Sequence, residues 1–145
     1  MDVSVLVDPS LPRLMTEADL PWLTQLCRKR YSHKYDAEAT QGWYSNIVMK
    51  SPLMFYPVRS ADAFCITMLS VVPWLASDLD ANVVFICCDE GCMWQGLRLL
   101  RCSIDWAKRR RATVWRLSSD TDYDFKALAM RLGATEISPR FAKQL

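Results

Sequence analysis

The chain has 145 residues, of which 51% are apolar, and it carries 18 basic and 16 acidic residues. This size suits one domain over residues 1–145, with residues 1–12 as an N-terminal strand or a loose arm. A net charge of +2 gives no overall attraction to nucleic acid or to an anionic membrane. No segment approaches the roughly 20 apolar residues of a membrane span, and the N-terminus does not read as a signal peptide. We therefore expect a soluble, cytoplasmic protein.

The cysteine pattern does not favour a metal site. Zinc sites use cysteines and histidines in paired short spacings, but His33 is the only histidine, and Cys88 and Cys92 form one loose pair. We expect no metal, and we expect most of the cysteines to be small core residues in a reducing compartment.

The first half of the chain predicts two helices. Thr16–Asp19 has the pattern of a capping box, and apolar residues at helical spacing follow it to about Tyr31. A second helix is predicted over residues 36–50, with Trp43, Ile47 and Val48 as its apolar face.

Strands dominate the next part of the chain. Residues 53–60 and 63–74 are rich in β-branched and aromatic residues and are split by Ala61 and Asp62, which predicts an antiparallel pair. The continuous apolar run over 81–88 predicts a central strand that is covered on both faces.

Helices and strands alternate in the second half. An amphipathic helix is predicted after Gly96, a strand over 112–119, and a last helix over 122–133 that stops at Gly133. A closing strand over 134–145 would complete the sheet. The fold class is therefore α/β, one domain with a central mixed β-sheet flanked by helices.

Two segments together with this order of elements resemble the GNAT superfamily of acyl-CoA N-acyltransferases. They are "RLMTEADLPWLTQL" from Arg13 and "SIDWAKRRRATVWRLSSDTDYDFKALAMRLGAT" from Ser103. The resemblance implies transfer of an acetyl group from acetyl-CoA to an amine of an unknown acceptor. It also implies that the pyrophosphate of coenzyme A lies on main-chain N–H groups at a helix N-terminus, and that the pantetheine arm lies where the fourth and fifth strands separate.

The resemblance also implies site residues. Asp89 and Glu90 are the candidate bases and Tyr123 is the candidate acid. The candidate cofactor-binding residues lie together around the start of the helix: Gly91, Gln95, Gly96, Leu97 and Arg98.

The family signature Gln/Arg-x-x-Gly-x-Gly/Ala is matched only in part. Gly96 takes its last position, whereas Trp94 replaces the first glycine and Gly91 the Gln/Arg. Ala129 stands where the family tyrosine would lie. An indole at the first glycine would obstruct close approach of a phosphate unless the loop is rebuilt.

These departures leave other interpretations open. Asp89 and Glu90 fit a solvated acidic turn, residues 91–98 fit a helix start capped by its own loop, and Ser118 and Ser119 fit helix caps.

A second function is a non-catalytic GNAT-like domain that acts as a structural or binding protein, for example a bacteriophage particle component in the virion. Exposed aromatics would provide its protein partner surface: Trp22, Trp43, Tyr44, Trp74 and Trp94. Nucleic-acid binding through the basic runs 28–30 and 108–111 is a third reading, and the lack of interleaved aromatics argues against it.

Overall fold

A computed structural model of the chain describes residues 8–31, 35–71, 79–117, 126–135 and 143. The elements within these residues are β1 (Arg13–Leu14), α1 (Leu20–Tyr31), α2 (Ala37–Trp43), β2 (Phe55–Arg59), β3 (Ala63–Val71), β4 (Leu79–Cys88), α3 (Met93–Arg109), β5 (Val114–Leu117) and α4 (Lys126–Arg131). Residues 1–7 of the predicted N-terminal arm and most of the predicted closing strand lie outside the described residues.

The five strands form one mixed sheet in the order β1-β2-β3-β4-β5. Neighbouring strands are antiparallel except β4 and β5, which are parallel. The two-residue turn at Ala61 and Asp62 closes the β2–β3 hairpin, with the Ser60 N–H donating to the Ala63 carbonyl at 3.0 Å. The predicted mixed sheet with flanking helices is confirmed.

Each face of the sheet is covered by helices. One hydrophobic cluster joins α1 and α2 to the sheet through Leu23, Tyr44 and Phe64, and a second joins α3 and α4 to the other face through Leu99 and Leu128. The adjacent cysteines of β4 divide between them, as the period of a strand requires: Cys87 lies in the first cluster and Cys88 in the second.

Four cysteines are core residues, as expected: Cys27, Cys65, Cys87 and Cys88. Burial raises the pKa of Cys65 and of Cys88 to about 12, so both thiols stay neutral. Cys92 and Cys102 are half-buried.

The start of α1 is fixed by a buried carboxylate. Asp19, only 5% exposed, accepts the Thr16 N–H at 2.8 Å in the predicted capping box. It also accepts from Arg13 at 2.7 Å and from Arg59 at 2.8 Å. Burial raises the pKa of Asp19, but the hydrogen bonds from Arg13, Thr16 and Arg59 outweigh this and lower it to about 2. From there α1 runs to Tyr31, as predicted.

The second helix differs from its predicted face. Asp36 caps α2, accepting the Ala39 N–H at 3.0 Å, and the helix continues into a π-helical turn over Tyr44–Val48. A π turn holds more residues than an α turn and so rotates the faces that follow. Tyr44 is therefore fully buried and Ile47 is 48% exposed. The prediction was right for the buried Val48 and the half-buried Trp43 and wrong for Ile47.

Helix α3 begins at Met93, earlier than the predicted start after Gly96. Its buried face centres on Leu99, Leu100 and Ser103. Helix α4 ends before Gly133, whose φ of 81° is left-handed, so the predicted glycine stop is confirmed. Among the described residues, no helix has the length and apolar content to span a membrane.

Candidate functional site

Strand β4 has a bulge next to the last pair that it forms with the described part of β5. Val83 faces Thr67 and Phe85 faces Ile66, so Val84 is an extra residue in the β3–β4 ladder. Within the described residues, the β4–β5 ladder extends as far as Val83↔Leu117. Bulges bend a strand and increase its twist. Residues 84–88 therefore pair with β3, while no described residue pairs with them on the side of β5. We call that side of residues 84–88 the β4 edge.

Main-chain groups point outward along the β4 edge. The Asp89 N–H donates to the Asp62 carbonyl at 2.8 Å, one register step beyond the Ala63↔Cys88 pair. Because hydrogen-bonded and non-hydrogen-bonded pairs alternate in an antiparallel ladder, the N–H and C=O groups of Ile86 and Cys88 point away from β3. An extended ligand can pair with such groups as an added strand does.

The turn after β4 leads into α3 through Gly91, whose φ of 75° is left-handed. The Cys92 N–H donates to the Asp89 carbonyl at 3.0 Å. The N–H groups of Gly91, Met93 and Trp94 have no acceptor within the described part of the chain. Unpaired N–H groups at the start of a long helix favour an anion such as phosphate.

Gln95 anchors the start of α3 to the β2–β3 turn. The residue is 3% exposed. Its side-chain oxygen accepts from Ser60 Oγ at 2.7 Å and from the Asp62 N–H at 2.8 Å, and its side-chain nitrogen donates to Asp62 Oδ2 at 3.0 Å. These three hydrogen bonds fasten the start of α3 to the β2–β3 turn.

Gly96 lets α3 approach β4 closely. A Cβ atom at this position would lie 2.6 Å from Cys88 Sγ, a separation too short for van der Waals contact. The neighbouring Leu97 is half-buried and packs on the α3-side cluster. These two residues place the helix N-terminus beside the end of β4.

Trp94 lies outside the core. It is 50% exposed, it belongs to no hydrophobic cluster of the described residues, and the Arg98 guanidinium lies 5.8 Å from its ring centroid. Trp115, by contrast, lies between β5 and α3, where its indole N–H donates to Ser103 Oγ at 2.9 Å. The predicted exposure of Trp94 is confirmed.

The two carboxylates after β4 have different surroundings. Asp89 pairs with Lys29 Nζ at 2.8 Å, and its Oδ1 accepts the Glu90 N–H at 2.8 Å. The hydrogen bond from Lys29, followed by that from Glu90, lowers the pKa of Asp89, which makes Asp89 a weaker base. Glu90 is exposed and makes no ion pair with any described residue, so its carboxylate is free of the pairing that engages Asp89.

The candidate acid Tyr123 and the serines Ser118 and Ser119 lie outside the described residues. Ala129 lies in α4. Sequence reasoning did not single out a second tyrosine, Tyr31, whose hydroxyl donates to the Ile86 carbonyl at 3.1 Å. No motif marks this contact, because it joins residues 55 positions apart through the packing of α1 on β4.

The predicted surface of exposed aromatics is mostly wrong. Tyr44 is buried, and its hydroxyl donates to the Thr16 carbonyl at 2.6 Å. Trp22 is half-buried, with the Arg59 guanidinium 3.3 Å from its ring centroid, and Trp43 packs edge-on against Phe55. Trp74 lies outside the described residues, which leaves Trp94 as the exposed member among those described.

Comparison with known proteins establishes the fold. No protein-family profile matches the sequence, and no curated protein matches it. Solved structures do match. A glucosamine-6-phosphate N-acetyltransferase from Arabidopsis thaliana is 11% identical with a TM-score of 0.73, covering 92% of this chain and 97% of that one.

Two further acetyltransferases are similar over the same length. An aminoglycoside 6′-N-acetyltransferase from Acinetobacter haemolyticus is 18% identical with a TM-score of 0.65, covering 93% of this chain and 99% of that one. An acetyltransferase from Trypanosoma brucei is 12% identical with a TM-score of 0.71, with the same coverage. The chain therefore has the fold of the GNAT acetyltransferases, which confirms the fold that the resemblance implied.

Proposed function

We propose that the chain is an N-acyltransferase that moves an acetyl group from acetyl-CoA to an amine. The observation that carries this proposal is that the outward main-chain groups of Ile86 and Cys88, which no described residue of β5 pairs with, lead into the N-terminus of α3, where Gly96 lies against Cys88. A thioester on an extended arm and a phosphate group fit these two neighbouring features. The fold shared with acetyltransferases supports the same reading.

Each end of the donor has a matching set of groups. The amides of the pantetheine arm pair with the main chain of Ile86 and Cys88 along the β4 edge. The pyrophosphate lies on the N–H groups of Gly91, Met93 and Trp94, with Arg98 adding positive charge. Gln95, Gly96 and Leu97 hold the helix in place and do not contact the donor through their side chains.

The chemistry needs one base and one acid. Glu90, directly or through a water molecule, takes a proton from the amine as its nitrogen attacks the thioester carbonyl. The carbon–sulfur bond then breaks, and the thiolate takes a proton from an acid, for which Tyr123 is our candidate. Asp89 stays ionised beside Lys29 and holds the turn, so it is not the base in this proposal.

The acceptor is an unidentified amine. Two of the similar structures are named for acetylation of glucosamine 6-phosphate and of an aminoglycoside, so amino sugars are a sensible first set of acceptors. Amino acids, peptides and polyamines complete a screen. Thiol release from acetyl-CoA measures the reaction. Release that depends on an added amine and is lost in Glu90→Gln supports the proposal.

The alternative is a non-catalytic binding domain. Its structural support is now limited to Trp94, because the other described aromatics of the predicted partner surface are buried or half-buried. Absence of thiol release with every acceptor, together with absence of acetyl-CoA binding, would favour this alternative over the enzyme.

A further inference from the structure

The Tyr31 hydroxyl lies at the β4 edge. Tyr31 is the last residue of α1, and its hydroxyl donates to the Ile86 carbonyl at 3.1 Å. That carbonyl points to the side of β5, and Ile86 is only 1% exposed. Lower on the same side of β4, the donor comes from the β5 segment: the Thr113 N–H donates to the Leu79 carbonyl at 2.8 Å. At Ile86 a side chain from α1 supplies the hydrogen bond that a strand supplies at Leu79.

The end of α1 holds this part of β4 at more than one point. Lys29 Nζ pairs with Asp89 at 2.8 Å, three residues beyond Ile86. The Tyr31 ring packs edge-on against Phe85, with 6.2 Å between ring centroids, and Phe85 directly follows the bulged Val84. The last turn of α1 therefore fixes the segment of β4 that follows the bulge.

A buried carbonyl that lacks a donor is costly, and a strand edge with free carbonyls tends to pair with a neighbouring strand. The Tyr31 hydroxyl supplies the donor at the Ile86 carbonyl, so this carbonyl does not need a donor from a strand. A carbonyl oxygen has two lone pairs, so one remains for a ligand while Tyr31 stays bound.

We propose that Tyr31 is a positioning residue for the acyl donor: its hydroxyl takes the place of a strand partner at Ile86 and keeps the β4 edge available to the pantetheine arm. This inference rests on the proposed function, since it assigns the arm of acetyl-CoA to that edge. It adds a residue from the opposite face of the sheet to a site otherwise built from β4 and α3.

The test is calorimetric titration of Tyr31→Phe with three ligands: coenzyme A, pantetheine alone, and adenosine 3′,5′-bisphosphate. We expect Tyr31→Phe to weaken binding of coenzyme A and pantetheine by about threefold to tenfold. The adenosine bisphosphate lacks the arm, so its affinity stays unchanged. The matched control is Tyr44→Phe, which removes a hydroxyl that also donates to a main-chain carbonyl, that of Thr16, and leaves all three affinities unchanged.

Three outcomes would overturn the inference. Unchanged binding of coenzyme A would show that the hydroxyl is not needed, and tighter binding would show that Tyr31 competes with the donor. Equal weakening of the binding of all three ligands would show a general loss of structure.

If Tyr31→Phe fails to fold, Lys29→Gln is the second variant, and it removes the exposed ion pair between α1 and the residue that follows β4, Asp89. The same selective loss with Lys29→Gln supports the inference, and unchanged affinities overturn it. Failure of the wild-type protein to bind any of the three ligands would instead refute the proposed function.

Discussion

Replacement of Gly96 by alanine tests how the start of α3 is positioned. The added Cβ would lie 2.6 Å from Cys88 Sγ, and Cys88 is fully buried at the end of β4. The helix must therefore move away from β4. Overpacking of this kind costs about 1–3 kcal/mol, and the better helix propensity of alanine offsets about 1 kcal/mol of it. The expected net loss in the free energy of unfolding is therefore up to about 2 kcal/mol.

Thermal unfolding measures this loss. An unfolding entropy of about 2.1 cal/mol/K per residue gives about 0.3 kcal/mol/K for a chain of this length, so Tm should fall by up to about 7 °C. The same movement shifts the N-terminal N–H groups of α3, so acetyl-CoA affinity should fall as well.

Gly42 supplies the matched control, since a Cβ there meets no atom within 4 Å. Gly42→Ala should leave stability unchanged or raise it by up to about 1 kcal/mol. Adding Cys88→Ala to Gly96→Ala removes the clashing sulfur, so the double variant should lose less stability than the sum of the two single changes. A Gly96→Ala protein as stable as Gly42→Ala, or additive effects in the double variant, would refute the reasoning.

Two further predictions concern carboxylates. Glu90→Gln should keep acetyl-CoA affinity and lose at least about tenfold in the rate of thiol release, whereas Asp89→Asn should keep most of the rate; equal rates in both variants and wild type would remove the base assignment. Asp19 has its pKa lowered from 3.8 to about 2, so its ionised form contributes about 2 kcal/mol of stability above pH 4 that is lost as the pH falls towards 2. Acid unfolding of Asp19→Asn should lack this contribution, and a wild-type-like loss of stability between pH 4 and 2 would contradict the assignment.

Much of the fold could be predicted because short stretches of the sequence carry the signals for strands and for helix ends. The continuous apolar run over 81–88 and the β-branched runs before it have the composition of strands, and β4 and its neighbours lie there. The capping box at Thr16 and the glycine at position 133 mark helix ends by their own chemistry.

The errors in the predicted helices arise where the conformation of the backbone departs from the regular period that the sequence pattern assumes. The π turn at Tyr44 rotates the end of α2, which an α-helical period does not anticipate. Helix α3 starts early because the left-handed Gly91 completes the turn from β4 before Gly96 is reached. The same difference changes the meaning of Gly96, which serves packing against Cys88.

The sequence alone could not separate the roles of the candidate site residues. Asp89 and Glu90 look equivalent in the sequence, and only the ion pair with Lys29 separates them. The hydrogen bond between Gln95 and Asp62 joins residues 33 positions apart, and the one between Tyr31 and Ile86 joins residues 55 positions apart. Contacts at such separation depend on how helices pack on the sheet, and no local motif encodes them.

The most direct test of the central claim is calorimetric titration of the purified protein with acetyl-CoA, with thermal unfolding at saturation as its companion. The account predicts one binding site. It also predicts that ligand at about 100 times its Kd stabilises the fold by about 2.7 kcal/mol, which corresponds to a rise in Tm of about 9 °C for this chain length. Absence of both binding heat and a Tm shift at about millimolar acetyl-CoA would contradict the claim that the β4 edge and the start of α3 form an acyl-CoA site.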